Sequence, residues 1–330
     1  MKVAVVGSGG MGRIHAHAYT RMAGVELVGV CDIEFALAEE LARNTNSRAF
    51  PSFEALVEAV SPEAVSLTLP SHLHKEYAIK AAERGIHVIS EKPISLSLED
   101  AEAVIQSCEK HGVKLFVGHV VRFFPDYVQM KNAVEAGKLG TIGVAHFKRI
   151  GGHPGNVRPW FKEEDKSGGV IVDLMVHDID FARWTFGEVK SVYCMKHTDN
   201  NMDYALATLV FESGAVANLE AYWGYPGAFR TAAEIAGSNG VVRADSATSS
   251  SLQVRKAAVD GEAGRFVEVP QSPSIHSPYY IELQHFIDCI RGNAEPVVTG
   301  RDAYKALEIA NAARESARTG RAVLLGGAVG

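Results

Sequence analysis

Short runs of β-branched and other apolar residues alternate with amphipathic stretches through the first 120 positions, the pattern of a parallel sheet covered by helices. Strands are predicted at Lys2–Val6, Glu26–Cys31, Ala64–Leu69, His87–Ser90 and Leu115–Val117. Helices are predicted near Met11–Met22, Phe35–Arg43, Phe53–Val60, Lys75–Glu83 and Leu98–His111. Ser97 is placed to N-cap the last of these, with Glu99 and Asp100 in its first turn; Gly85 and Gly112 fall at C-cap positions. Beyond about residue 140 the texture changes. A helix over Val170–Phe186 is followed by alternating runs at Ser191–Lys196, Tyr204–Phe211, Ala215–Tyr222, Thr231–Ala236 and Gly240–Ala244, with glycine or Asn/Asp turns between them. Amphipathic helices near Tyr279–Arg291 and Arg301–Thr319 follow. The expected fold is a doubly wound α/β Rossmann domain at residues 1–120, then an α+β domain at 121–330 with a large, mostly antiparallel sheet.

Composition changes this picture little. The 330 residues are 47% hydrophobic and 22% charged, as in an ordinary globular protein, and suffice for two cores. A net charge of −6 gives no electrostatic reason to expect nucleic acid or an anionic membrane as partner. Cys31, Cys108, Cys194 and Cys289 are scattered, with no C-x-x-C pair and no ligand-like spacing, which suits a reduced compartment. Glycines cut short the only N-terminal apolar run, and no stretch approaches bilayer-spanning length. A cytoplasmic location is the expectation.

Gly7-Ser8-Gly9-Gly10-Met11-Gly12 leaves the first strand and enters the first helix as a G-x-G-x-x-G. Gly7 permits the tight turn, Gly9 the approach of backbone to a pyrophosphate, and Gly12 close helix–strand packing. Gly10 and Met11 open the helix whose N–H groups face the phosphates. Asp32 ends the second strand twenty residues beyond Gly12, where a carboxylate accepts from both ribose hydroxyls and repels a 2′-phosphate. With Glu34 rather than an arginine following, NAD is favoured over NADP. Capping of the next helix is the competing use of Asp32.

In an open parallel sheet the ligand lies at the carboxyl ends of the strands, which singles out Leu69-Pro70-Ser71-His72-Leu73-His74 after one strand and Glu91-Lys92-Pro93 after another. Lys92, close to a cofactor and partly desolvated, is suited to exchange a proton, and Pro93 to fix its turn. Asp173 and His177 stand at i and i+4 on the predicted helix. His177 suits proton exchange with a substrate hydroxyl and Asp173 suits orientation of substrate. No third ligand accompanies the pair at a metal-site spacing, so no metal is expected.

These residues together are similar to the glucose–fructose oxidoreductase, inositol dehydrogenase and MocA (Gfo/Idh/MocA) family. The marks are the Gly7–Gly12 loop with Arg13-Ile14-His15, Glu91-Lys92-Pro93, Gly168-Gly169 leading to Asp173, His177 and Asp178, and the segment Pro296–Asp302. The resemblance spans essentially the whole chain. It implies an open-faced C-terminal sheet whose outer face forms a homodimer or homotetramer interface, and a final helix free to pack against the Rossmann domain. It also implies NAD-dependent interconversion of a secondary alcohol and a ketone on a sugar or cyclitol. His177 or Lys92 would then handle the proton, and Asp173 would hold a hydroxyl. Pro70, Ser71, His74 and Glu91 would border the nicotinamide. Arg122 is a further candidate for substrate, as are His153, Arg158 and Trp160 in the glycine-, charge- and aromatic-rich segment Gly151–Lys166. Trp160 has packing as an equal alternative. Two other functions share the architecture: a non-catalytic NAD-binding sensor, and a glycoside hydrolase that regenerates its NAD within each turnover.

Overall fold

The computed structural model describes residues 1–199, 201–247, 252–253, 270–271 and 276–326. The N-terminal sheet has the order β3-β2-β1-β4-β5-β6 and is parallel throughout. Its strands are β1 (Lys2–Val6), β2 (Glu26–Cys31), β3 (Arg48–Phe50), β4 (Ala64–Leu67), β5 (His87–Glu91) and β6 (Leu115–Gly118). Strand periodicity sends successive β1 side chains to opposite layers. Val3 and Val5 pack with Ala16, Tyr19 and Leu41 of helices α1 (Gly10–Tyr19) and α2 (Phe35–Thr45). Ala4 and Val6 belong to the opposite layer, beneath α3 (Phe53–Val60), α4 (His74–Ala82) and α5 (Leu98–Lys110). Ser97 caps α5 as expected, accepting from Asp100 N.

Strand β3 and helix α6 (Pro125–Glu135) were not expected from the sequence, nor was β7 (Ile142–Gly151). Strand β7 lies at the centre of the second sheet, between β10 (Val216–Trp223) and β11 (Arg230–Gly237), parallel to the first and antiparallel to the second. Polar residues on both faces hide its alternation: His146 and Lys148 point outward, whereas Arg149 is buried. The remaining order is β12 (Gly240–Asp245) at one edge and, beyond β10, β9 (Met202–Phe211), β8 (Val189–Asp199) and the short strand Val323–Leu324. The sheet is mostly antiparallel, but it is not a simple meander.

After the one-turn helix α7 (Glu164–Ser167), helices α8 (Val176–Phe186) and α10 (Gly300–Thr319) pack together beside its inner face. Helix α9 (Pro278–Ile290) instead returns to the Rossmann sheet, where Leu283, Phe286 and Ile287 join the α1–α2 layer. All four cysteines are free and buried, and among the described residues no helix is long and apolar enough to cross a membrane.

Candidate active site

A cavity of about 410 Å³ lies at the carboxyl ends of β1, β4 and β5. One half is walled by Gly9, Gly10, Met11, Thr68, Pro70 and Ser71, the other by Lys92, Trp160, Phe161, Asp173, His177 and Tyr279.

The first half is shaped by backbone constraints. Gly7 turns with φ 98°, and a Cβ there would lie 2.6 Å from the Thr68 carbonyl oxygen. A Cβ on Gly12 would overlap the Gly7 carbonyl oxygen. Only glycine fits either place. Helix α1 starts after Gly9 with no side-chain cap and no acid in its first turn, leaving backbone N–H groups and the positive dipole end for an anion. Asp32 accepts from Ser8 N at 2.7 Å and Glu34 N at 2.9 Å. No side chain caps α2, so Asp32 is tied to the glycine loop rather than used as a helix cap. The arrangement fits a dinucleotide: phosphates over the glycines, a ribose diol at Asp32.

The second half centres on Lys92. Its ammonium donates to Asp173 Oδ1 at 2.8 Å and to the Asp173 carbonyl at 2.7 Å. Its peptide bond to Pro93 is cis. Residues Ile171–Met175 form a π-helical turn before α8, so Asp173 and His177 do not sit on one regular α-helix, yet both line the cavity. Asp173 is engaged with Lys92 rather than standing free for substrate. His177 is buried, and burial together with the Lys92 charge pushes its imidazole well below the usual histidine range. Its Nδ1 is buried without a protein partner, which leaves Nε2 as the nitrogen toward the cavity.

Beneath this floor Glu91 accepts from His15, with His15 Nε2 3.0 Å from Glu91 Oε1. His15 Nδ1 is 3.1 Å from Ser66 Oγ, itself 2.6 Å from the Tyr19 hydroxyl. Burial alone would raise the Glu91 carboxyl; the hydrogen bond and charge of His15 outweigh it and hold the group below the usual range.

Three expected ligand contacts lie elsewhere. Arg122 is 2% exposed and forms a bidentate pair with Asp180 at 2.6 and 2.8 Å, its remaining nitrogen donating to the Val297 carbonyl. It is a tie between segments, not part of the cavity wall. His74 is buried with Nδ1 2.7 Å from the Pro93 carbonyl oxygen and Nε2 2.9 Å from that of Leu69, so it braces the Lys92–Pro93 turn from behind. His153 accepts from Gly155 N and packs by Trp223. Trp160 does line the cavity, stacked on Phe161 at 3.8 Å.

Four wall residues carry no local signal that marks them in the sequence: Thr68, Val120, Phe161 and Tyr279. Tyr279 arrives on α9 from nearly two hundred positions away, which no spacing rule reaches. Arg158 lies over the glycine loop, so close that a Cβ on Gly9 would come within 2.7 Å of its guanidinium, and it makes no ion pair among the described residues. Those residues also hold no group of three or more His, Cys, Asp or Glu arranged for a metal.

The glycine cradle, the uncapped helix and Asp32 beside a cavity holding Lys92 and His177 define a nicotinamide-dependent oxidoreductase. The chain belongs to the Gfo/Idh/MocA oxidoreductase family: residues 1–119 match its NAD-binding Rossmann fold and 131–325 its C-terminal alpha/beta domain. It is 33% identical to scyllo-inositol 2-dehydrogenase (NAD(+)) of Bacillus subtilis, over 98% of this chain and 96% of that protein. It is 29% identical to myo-inositol 2-dehydrogenase of Thermotoga maritima, over the full length of both. The fold matches that of GenD2 from gentamicin A biosynthesis, solved with NAD, at a TM-score of 0.88 with 24% identity, over 99% of this chain and 97% of the other.

Proposed function

We propose that the protein oxidises a secondary alcohol of an inositol-like cyclitol or sugar to the ketone, in a reversible reaction with NAD. The observation that carries the reading is the convergence of Lys92, Asp173 and His177 in the cavity that begins at the glycine loop. Nicotinamide, when bound, supplies the hydride acceptor. His177, neutral near pH 7, takes the hydroxyl proton at Nε2. Lys92, held by Asp173, donates a hydrogen bond to the reacting oxygen and stabilises the charge that develops there. Pro70, Ser71 and Glu91 border the nicotinamide half, and Trp160 covers the substrate half.

The test is NADH formation from myo-inositol, scyllo-inositol, hexoses and sugar acids. Tight NADH binding with no turnover across the panel favours a sensor; release of sugar from an aryl glycoside without net NADH favours the hydrolase.

Two further outcomes follow at the cofactor. Asp32→Ala removes charge-assisted hydrogen bonds to ribose and the repulsion of a 2′-phosphate, so the ratio of kcat/KM for NAD over NADP falls by about tenfold or more. An unchanged ratio rules out the ribose role. Arg158→Ala withdraws a cation from the pyrophosphate position and raises the NADH dissociation constant by about tenfold, read by fluorescence titration, with Arg158→Lys intermediate.

We also propose a cytoplasmic homodimer or homotetramer joined through the outer face of the second sheet. Among the described residues no helix covers the face that Tyr204, Leu206, Glu220 and Tyr222 share, and Tyr193 and Met195 are exposed on β8 beside it.

A further inference from the structure

Buried polar atoms almost always find partners, so a concentration of exceptions calls for a physical account. Among the described residues seven buried side-chain atoms have no hydrogen-bonding partner in the protein, and five belong to three residues: His177 Nδ1, both ring nitrogens of His119 and both carboxyl oxygens of Glu282. His119 and Glu282 are each 1% exposed. The three come from separate elements that meet behind the cavity. His177 lies in α8, Glu282 in α9, and His119 precedes the 3-10 turn Val120–Phe123, which packs against both helices.

The charges around them fix their protonation. Burial, with Lys92 and Arg149 adding positive charge, pushes His177 down. Burial also pushes His119 down, aided by Arg122 and Lys92 and opposed by Asp180 and Asp302. Burial, with Glu91 and Asp180 adding negative charge, pushes Glu282 well up. The phenols of Tyr19 and Tyr279 also face Glu282. Asp180 Oδ2 stands 3.7 Å from His119 Nδ1, too far for a hydrogen bond. All three shifts favour the neutral form. A neutral imidazole offers one donor and one acceptor, as does a carboxylic acid, so each can take a proton at one atom and release another from a second.

We propose that His119 and Glu282 form an internal proton relay behind His177, joined to it and to each other by buried water. The inference rests on the dehydrogenase reading. Oxidation of the alcohol gives ketone, NADH and one proton. The C–H bond breaks with its electron pair passing to nicotinamide, and the O–H proton passes to His177 Nε2. The Nδ1 proton of His177 then moves to His119, which hands its other proton toward Glu282. Glu282 accepts at one oxygen and releases from the other through buried water toward the solvent, leaving each group neutral with its tautomer reversed, and the protons turn back to their starting atoms before the next turnover. Neither His119 nor Glu282 touches substrate; both act through His177.

Glu282→Gln and His119→Asn keep the size and polarity of the side chains and abolish proton transfer. Each is expected to lower kcat for myo-inositol by about tenfold, with KM and the NADH dissociation constant within about twofold of wild type. The solvent deuterium isotope effect on kcat should rise, and the double variant should be no slower than the slower single one. Wild type should also show an infrared band of a protonated carboxyl at pH 7.5 that Glu282→Gln removes, a readout that needs no turnover. Wild-type kcat and isotope effects in both variants, or absence of the band, overturn the relay. A purely packing role would lower the melting temperature or shift KM without moving the isotope effect, and also overturns it. Absence of NADH from every polyol with wild type would sink the dehydrogenase reading, and with it the relay's proton donor, whatever the band shows.

Discussion

Replacing His177 with alanine lowers the rate of NADH formation by about a hundred- to ten-thousandfold, the range that a positioned general base contributes. The NADH dissociation constant stays within about twofold, because His177 lies in the substrate half of the cavity, away from the glycine loop. The pH profile carries the same information with a definite sign. Burial and the neighbouring Lys92 ammonium favour the neutral imidazole, so the histidine keeps its proton-accepting form to more acidic pH than a free one does. Alcohol oxidation at saturating substrate should therefore hold its plateau as pH falls to about 6.5, the ordinary histidine value, and decline only below it. A decline centred above that value would show that another group takes the proton. Lys92→Ala separates the two candidates, since Lys92 is anchored to Asp173 through its ammonium. With the base intact and the reacting oxygen unsupported, kcat falls, and the acid limb, still set by His177, moves to higher pH because the ammonium that helps to lower the imidazole is gone. Full activity in both variants would refute the site.

Asp180→Leu lowers stability by about 3–5 kcal/mol, since it leaves the buried Arg122 guanidinium with only the more distant Asp302 carboxylate, 3.6 Å away, as counter-charge. Both side chains are about 1% exposed, and burial alone would lower the arginine pKa; the charge and hydrogen bonds of Asp180 more than reverse that. Arg122→Met should cost a similar amount by stranding the carboxylate. The double variant should recover most of the loss, because an apolar pair of comparable volume needs no desolvation. Thermal or urea melts of the three variants decide this, and additive losses would show that the pair does more than neutralise itself. The pair matters to the site through connectivity. Arg122 follows β6, Asp180 is three residues beyond His177 in α8, and the Val297 carbonyl that Arg122 also grips lies between α9 and α10.

Much of the Rossmann half was legible because its signals are local. Apolar period, glycine loop and strand-end acid all lie within about thirty residues, and the structure places them as expected. Strand β3 is three residues long, too short to register as a period. Strand β7 was missed for a different reason. Its inward Arg149 is polar in sequence and becomes a core residue only through Asp178, which accepts from it at 2.8 and 2.9 Å. The assignment of Arg122 to substrate failed on the same physics, since an arginine for a ligand and an arginine for a buried aspartate look alike until the partner is seen.

The sequence by itself determined the cofactor cradle, because Gly7 and Gly12 answer to steric limits within their own turn and Asp32 to the strand it ends. It also singled out Lys92, Asp173 and His177 as the candidates for proton handling, through type and resemblance. Only the tertiary structure decided how they are used. It pairs Asp173 with Lys92 through a π-helical turn, buries His177 Nδ1 without a protein partner, and brings Tyr279 to the cavity and Glu282 behind it on α9. Each of those depends on charges and burial contributed by segments far apart in the chain.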